Sequence, residues 1–300
     1  MFQPLTDLYE PSAIGQLPDG RFLVLEDEQQ HLFSLVTLNP NGGVSTQALG
    51  PGFFERWDAF WNLDDLEALA LDRSGHVYAI TSHSRDDDGD KKKSRDKLVR
   101  FKIKGDHVAG QKVVTGLKRA LVAKHPLLAT AAKVPDVKTG GGLNIEAMEI
   151  SPDQQHLLIG FRSPLQGQRA IIARLENPAD MFDADAPPRV AAALTTLDLG
   201  GHGIRGMCHV SALDGYLIIS GPVSRQKVQF ELWFWSGKPE AAARRVSVPG
   251  LHGFEQAEGI CPALVNGESR LLIVSDDGSR KEGRCAHFLL LDPAQLQIAP

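Results

Sequence analysis

At 300 residues the chain exceeds a typical single domain, yet closed β architectures reach this size as one unit, and 42% hydrophobic with 23% charged residues excludes a disordered or fibrous protein. A formal net charge of -5, with Lys and Arg scattered instead of gathered in a stripe, makes nucleic acid an excluded partner. No run approaches the roughly 20 apolar residues of a membrane span, and residues 1–10 lack the basic start and apolar run of a signal peptide. No membrane association is expected, and the chain as given reads as cytoplasmic, or periplasmic if a leader has been removed.

Taken from the N-terminus, one unit recurs. Its first copy opens with Pro11-Ser-Ala-Ile-Gly, turns at Leu17-Pro-Asp-Gly and runs on through Phe22-Leu-Val-Leu, with a third strand from Leu32 to Leu38 and a weaker outer strand near Val44 to Leu49. The second has Leu66-Glu-Ala-Leu-Ala, Asp72-Arg-Ser-Gly and Val77-Tyr-Ala-Ile, then strands over Leu98 to Ile103 and Lys112 to Thr115. Next comes an extra segment, residues 116–142, in which Leu117-Lys-Arg-Ala-Leu-Val-Ala-Lys, stopped by Pro126, reads as a short amphipathic helix. The third copy has Ile145-Glu-Ala-Met-Glu, Ser151-Pro-Asp-Gln and Leu157-Leu-Ile-Gly, then Ala170 to Leu175 and Leu194 to Leu199. The fourth has Ile204-Arg-Gly-Met-Cys, Ala212-Leu-Asp-Gly and Tyr216-Leu-Ile-Ile, then Glu231 to Trp235 and Ala243 to Val248. The fifth has Ala257-Glu-Gly-Ile-Cys, Val265-Asn-Gly, Leu271-Leu-Ile-Val and His287 to Leu291. It lacks a clear fourth strand, which Phe2 to Tyr9 would supply by pairing back and closing the ring.

Each turn supplies the Pro, Asp, Asn or Gly that tight reversals need, and each following run is apolar and β-prone, as strands buried on both faces should be. Four strands per unit without a crossover helix predict an all-β propeller as a single domain over residues 1–300, with five four-stranded blades and six as the alternative. The inserted segment 116–142 is expected to be a helical lid, the alternative being part of a sixth blade. In every copy a small residue (Ala13, Ala68, Ala147, Gly206, Gly259) precedes a larger apolar one (Ile14, Leu69, Met148, Met207, Ile260). Inner strands converging on an axis explain that pattern, and a sandwich does not.

In a four-stranded blade the entry to the first strand and the exit from the second open on one face. The matched entries are Ser12, Glu67, Glu146, Arg205 and Glu258, so three carboxylates, one guanidinium and one serine should ring the channel mouth. Crowded carboxylates share a proton, recruit a cation or pair with an arginine. Glu67, Glu146 and Glu258 are therefore the candidate metal ligands and acid and base groups, with internal ion pairing as the competing reading. The exits carry Glu26 and Asp27 and add Arg85, Arg162, Arg225, Arg280, Asp276 and Asp277. Arginine forks suit phosphate or carboxylate, which puts Arg205, Arg162 and Arg85 in the substrate-binding set with Asp276. His83 and His202 fall on the same face and titrate near neutrality; His83 joins the catalytic candidates and His202 the substrate-binding ones.

Other features weigh less. Cys208, Cys261 and Cys285 have no metal spacing and read as free thiols. Asp86-Asp-Asp-Gly-Asp lacks the later glutamate of a calcium loop and reads as a solvated hairpin tip. Phe53, Phe54, Trp57, Phe60 and Trp61 read as a packed cap between the first two blades. The glycine runs at 140–142 and 200–203 read as loop flexibility, since no helix follows them. No nucleophile elbow, paired-histidine motif or dinucleotide fingerprint occurs, so no organic cofactor is expected.

Asn144-Ile-Glu-Ala-Met-Glu-Ile-Ser-Pro-Asp with Leu157-Leu-Ile-Gly-Phe-Arg-Ser-Pro, together with Asp65-Leu-Glu-Ala-Leu-Ala-Leu-Asp and Gln256-Ala-Glu-Gly-Ile, resembles a bacterial family of uncharacterised β-propellers related to the esterase-like phytase group. The resemblance implies a propeller acting on phosphoesters with a bound divalent metal, Glu67, Glu146 and Glu258 being the positions that match the recurring Glu. Asn144, which opens the motif, joins the substrate-binding set. Arg205 and Ser12 depart from the pattern, and an incomplete acidic ring speaks against a mechanism with several calcium ions. The expected function is a metal-assisted hydrolase or binding protein for a phosphorylated or carboxylated small molecule, using Ca, Mg or Mn. Two alternatives stand beside it: a non-catalytic scaffold for a protein or peptide partner, and carbohydrate hydrolysis by two of the glutamates.

Overall fold

A computed structural model describes residues 2–27, 32–39, 42–52, 55, 58–137, 141–224, 229–254 and 256–300. Strand β1 (Gln3–Pro4) is followed by four strands of the first blade, β2 (Pro11–Gln16), β3 (Phe22–Glu26), β4 (Phe33–Leu38) and β5 (Val44–Leu49). The second blade is β6 (Leu66–Leu71), β7 (Val77–Thr81), β8 (Leu98–Lys104) and β9 (His107–Val114). The third is β10 (Asn144–Ile150), β11 (Leu157–Ser163), β12 (Ala170–Leu175) and β13 (Thr195–Leu197). The fourth is β14 (Gly203–Val210), β15 (Gly215–Gly221), β16 (Glu231–Trp235) and β17 (Arg244–Ser247), and the fifth holds β18 (Ala257–Val265), β19 (Glu268–Ser275) and β20 (His287–Leu291).

Each blade is one antiparallel sheet in sequence order, so the ring has five blades and not six. The fifth blade takes its outer strand from the other end of the chain: β1 pairs with β20, Gln3 opposite Phe288. That pairing removes a free sheet edge and is anchored by Leu5 and Leu8, both buried. A short last strand, β21 (Gln297–Ile298), adds to the edge of the fourth blade beside β17.

The core is five inter-blade layers, because successive residues of a strand point to opposite sheet faces. In β3, Leu23 and Leu25 pack towards the second blade while Phe22 and Val24 pack towards the fifth. In β15, Leu217 and Ile219 face the fifth blade and Tyr216 and Ile218 the third. Burial on both faces is why these strands read as unbroken apolar runs. The small-then-large register follows the same logic. Ile14, Leu69, Met148, Met207 and Ile260 each wedge against the preceding blade. The small residues face the following one, where the strands nearly touch: a Cβ on Gly259 would lie 3.0 Å from the Ala13 Cα.

The inserted segment forms helices α1 (Leu117–Lys124) and α2 (Pro126–Ala131). Leu117, Leu121, Leu128 and Ala131 enter the layer between the second and third blades. A further helix, α3 (Pro178–Asp183), closes the outer end of that layer with Met181 and Phe182, and Arg100 stacks on the Phe182 ring at 4.9 Å while pairing with Asp183. Of the expected aromatic cap, Phe60 and Trp61 pack on Phe33, and Phe60 also on Phe101; Phe53, Phe54 and Trp57 lie outside the described residues. Cys208, Cys261 and Cys285 are free thiols, the first two buried.

Candidate functional site

Every innermost strand carries a register shift at the same place. The ladder skips one residue between Pro11 and Ala13, Leu66 and Ala68, Ile145 and Ala147, Ile204 and Gly206, and Ala257 and Gly259. A β-bulge leaves that residue outside the ladder and re-aims its side chain. The five bulged residues are Ser12, Glu67, Glu146, Arg205 and Glu258, and all five line one cavity of about 1420 Å³ on the face where entries and second-strand exits meet. Below this ring the strands leave little room, since a methyl group on Gly206 would overlap the Glu258 carbonyl oxygen. The cavity is a cup.

Arg205 organises one side of it. Its Nη1 donates to Glu258 Oε1 at 2.7 Å and forms an ion pair with Glu146 Oε2 at 3.0 Å, an oxygen without a hydrogen-bond partner, so these two carboxylates approach each other to within the sum of those distances. The guanidinium also lies 5.0 Å over the Phe230 ring. Arg162 bonds the other Glu146 oxygen at 3.0 Å and the Pro222 carbonyl at 3.2 Å. Asn144 donates from Nδ2 to Glu146 Oε1 at 2.8 Å, and its own Oδ1 is buried without a hydrogen-bond partner. On the second blade Arg95 bonds Asp64 at 2.9 Å and Asp65 at 3.0 Å, and Ser84 donates to Asp65. Ser12 Oγ donates to the Leu66 carbonyl at 2.6 Å, tying the first two blades together at the ring.

Acid outnumbers base. Eleven carboxylates line the cup against four guanidiniums, and no histidine, cysteine or lysine lines it among the described residues. Burial, then repulsion from Asp65, Glu146 and Glu258, raises the Glu67 carboxyl well above its ordinary value. Burial and neighbouring Glu10 push Asp27 up to about 8, and burial and Glu258 push Asp276 up to about 9. Glu258 rises only to about 7, because Arg205 opposes the effect of burial. Burial works against the Arg205 charge, but Glu146 and Glu258 hold it in place and raise its value. These carboxylates are not gathered as a ready cage: among the described residues no three acidic, imidazole or thiol groups meet around one point.

The cup thus brings together Glu67, Glu146, Glu258, Arg205, Arg162, Arg85, Asn144 and Asp276. It leaves out both histidines. His83 is buried, donates from Nδ1 to the Thr81 carbonyl at 2.9 Å and turns Nε2 to Asp96 at 3.5 Å; its φ of 57° is left-handed, and these partners hold the ring out of the cup wall. His202 likewise is not in the cup wall. Arg280 is drawn off to Glu26 at 3.2 Å and the Tyr9 ring at 4.3 Å, Asp277 is held by His287 at 2.7 Å, and Arg225 lies outside the described residues. Asp86 accepts from the backbone of Asp88 and Asp90, as a hairpin tip should, yet this tip forms one lip of the cup. Pro135 and Val137, from the end of the inserted segment, form the wall beside it, and Arg85 joins the two by bonding Ala132 and Gly89. The exit pattern puts Asp27 on this face without singling it out as a site residue, and sequence reasoning missed Glu10, Arg95, Asp65 and Phe230. The first and third sit two places before a ring residue, a second matched tier that the repeat alignment contains.

Comparison with known proteins places the chain in a family. No curated protein matches the sequence. Among solved structures, the chain is similar to a putative oxidoreductase (glucose dehydrogenase) from Thermus thermophilus, at 15% identity and a TM-score of 0.49 over 97% of this chain and 99% of that one. It is similar also to the PQQ-bound aldose sugar dehydrogenase of Streptomyces coelicolor, at 14% identity and 0.45 over 97% and 98% of the two chains. A third is the periplasmic gluconolactonase of Pseudomonas aeruginosa, at 11% and 0.42 over 96% and 78%. No helix among the described residues is long and apolar enough to cross a membrane. Residues 55–292 match the family described as "protein of unknown function (DUF3616)", and the chain belongs to that family.

Proposed function

We propose that the cup binds a small phosphorylated or carboxylated molecule together with a divalent cation, and that it hydrolyses a phosphoester of that class. The observation that carries this reading is the charge balance of the wall, eleven carboxylates to four guanidiniums in one open cup. With its carboxyl groups ionised such a surface repels a bare anion, and a cation that displaces the protons held by Asp27, Glu67 and Asp276 reverses that. Its donors are all oxygen, which fits a hard ion such as Ca, Mg or Mn. The carboxyl groups that would hold the ion come from Glu67, Glu146 and Glu258 and their acidic neighbours, and a bound ion would polarise a phosphoryl oxygen.

The protein's own side chains supply the rest. Arg162 and Arg205 present guanidiniums fixed by the Pro222 carbonyl and the Phe230 ring, and their fixed geometry suits a planar or tetrahedral anion. Glu258, held at about 7, can carry a proton or release it near neutrality and is the acid and base candidate. The resemblance of the Glu-(Ala/Gly)-(Leu/Met/Ile) segments to the esterase-like phytase group makes phosphomonoesters the first substrates to try. A phosphoester panel assayed with each metal tests the reading: turnover should appear with one of them and vanish on chelation. Turnover that persists in chelator, or in the combined Glu67→Gln, Glu146→Gln and Glu258→Gln variant, would refute it.

A further inference from the structure

We infer that the cup also takes an organic oligoamine, a flexible chain whose ammonium groups stand a few methylene groups apart. This goes beyond the phosphoester reading and does not rest on it. The arginines of the wall already have partners. Arg205 bridges Glu146 and Glu258, Arg162 adds to Glu146, and Arg95 holds Asp65. Arg85 donates to the Ala132 and Gly89 carbonyls. Glu10, Asp27, Glu67 and Asp276 line the same cup and have no ion pair with a basic side chain among the described residues. They come from the first, second and fifth blades, and no three acidic, imidazole or thiol groups among the described residues meet around one point. Acid dispersed in this way matches a ligand whose own charges are dispersed, each ammonium donating to the carboxyl groups nearest it.

A second observation points to a ligand. Glu146 is 3% exposed and Asn144 is 7% exposed, and each lines the cup with an acceptor, Oε2 and Oδ1, that is buried without a hydrogen-bond partner. Turning the Asn144 amide over would set its oxygen against the Glu146 carboxylate, so the orientation follows from the network. A buried acceptor left unpaired is costly, and an ammonium brings three donors and no acceptor. Pro135, Val137, Pro222 and Phe230 stand in the same wall and offer apolar surface to the methylenes between the charges. With Glu146 set so deep, a thin chain reaches it and a folded protein surface does not. Burial, with Glu10 next to one and Glu258 next to the other, holds Asp27 at about 8 and Asp276 at about 9. At neutral pH both therefore carry a proton that an arriving ammonium displaces, and amines keep their charge up to about pH 10.

The test is calorimetry of the full chain with spermidine, butylamine, magnesium chloride and tetralysine. Spermidine should bind at least about tenfold more tightly than butylamine or magnesium, because its linked charges engage several carboxylates at once. Its affinity should rise at least about tenfold from about pH 6.5 to about pH 9, with proton release at the lower end. Glu67→Gln and Asp276→Asn should each lower that affinity at least about fivefold, while the ligand-free variants melt no lower than the parent at neutral pH. The pH profile of the parent tests the inference even if a variant fails to fold. No spermidine binding, or equal affinity for spermidine, butylamine and magnesium, overturns it. So does an affinity indifferent to pH or to both substitutions. Tetralysine binding without spermidine binding overturns it in favour of a basic peptide. A phosphoester panel without turnover defeats the earlier reading alone and leaves the oligoamine site standing.

Discussion

Replacing Glu258 by glutamine should make the protein more stable at alkaline pH, although it removes one partner of a buried ion pair. Glu258 has a carboxyl held at about 7 against an ordinary 4.5. A group whose value is raised in the fold stabilises fully below its unfolded value and loses that contribution as pH climbs through the folded one. The window therefore runs from about 4.5 to about 7, and the loss amounts to roughly 3 kcal/mol at 1.36 kcal/mol per unit. The attraction of Arg205 is already contained in that figure, so it cannot be counted again on the other side. Glutamine does not ionise, and its amide oxygen can still accept from Arg205 Nη1. Urea melts followed by circular dichroism, with chelator present, should give equal stabilities at pH 4.5 and a variant about 3 kcal/mol more stable at pH 8.5. A variant less stable than the parent at pH 8.5 would refute the reasoning and show that the ion pair outweighs burial and repulsion.

Three further perturbations probe the frame that holds the cup. Gly206→Ala places a methyl against the Glu258 carbonyl oxygen between two inner strands, and should cost at least about 1–3 kcal/mol in a urea melt. Leu8→Ala empties a fully buried position in the closing segment; a loss of about 2–5 kcal/mol is expected, with light scattering showing association if the freed edge is exposed. Ser12→Ala strips the Leu66 carbonyl of a donor at 2.6 Å, which should lower stability by about 1–3 kcal/mol in a urea melt.

Much of the fold was legible because a propeller writes its geometry into each repeat. The five inner-strand segments, their turns and their third strands all appear where the pattern puts them, and Gln3–Pro4 closes the fifth blade as the missing outer strand required. The sixth-blade alternative fails on packing, because Leu117, Leu121 and Leu128 fill an existing layer between two blades. The ring of Ser12, Glu67, Glu146, Arg205 and Glu258 was legible for the same reason. The histidines were not. Where a side chain goes after a strand depends on the local backbone and on its rotamer, and neither the left-handed φ at His83 nor the hydrogen bond of its ring to the Thr81 carbonyl can be read from the residue pattern. Pairing was equally hidden: that Arg205 bridges Glu146 and Glu258, and that Arg280 is taken by Glu26, depends on side-chain reach across blades.

The repeated bulge explains why this one face is suited to chemistry. In a regular ladder the residue at each entry would point into an inter-blade layer, where an unpaired charge is strongly destabilising. One skipped residue per blade turns five side chains out of those layers and onto a common axis, leaving the apolar register on either side unchanged. The apolar pattern that builds the ring and the polar set that lines its mouth are thereby uncoupled. Blade four can place an arginine where blades two, three and five place glutamates, and the fold is unchanged. What differs is the field inside the cup: the Arg205 guanidinium bridges two of the three ring glutamates, Arg162 adds a second cation at Glu146, and Glu67 is left facing Asp27 and Asp65 without a counter-charge of its own among the described residues.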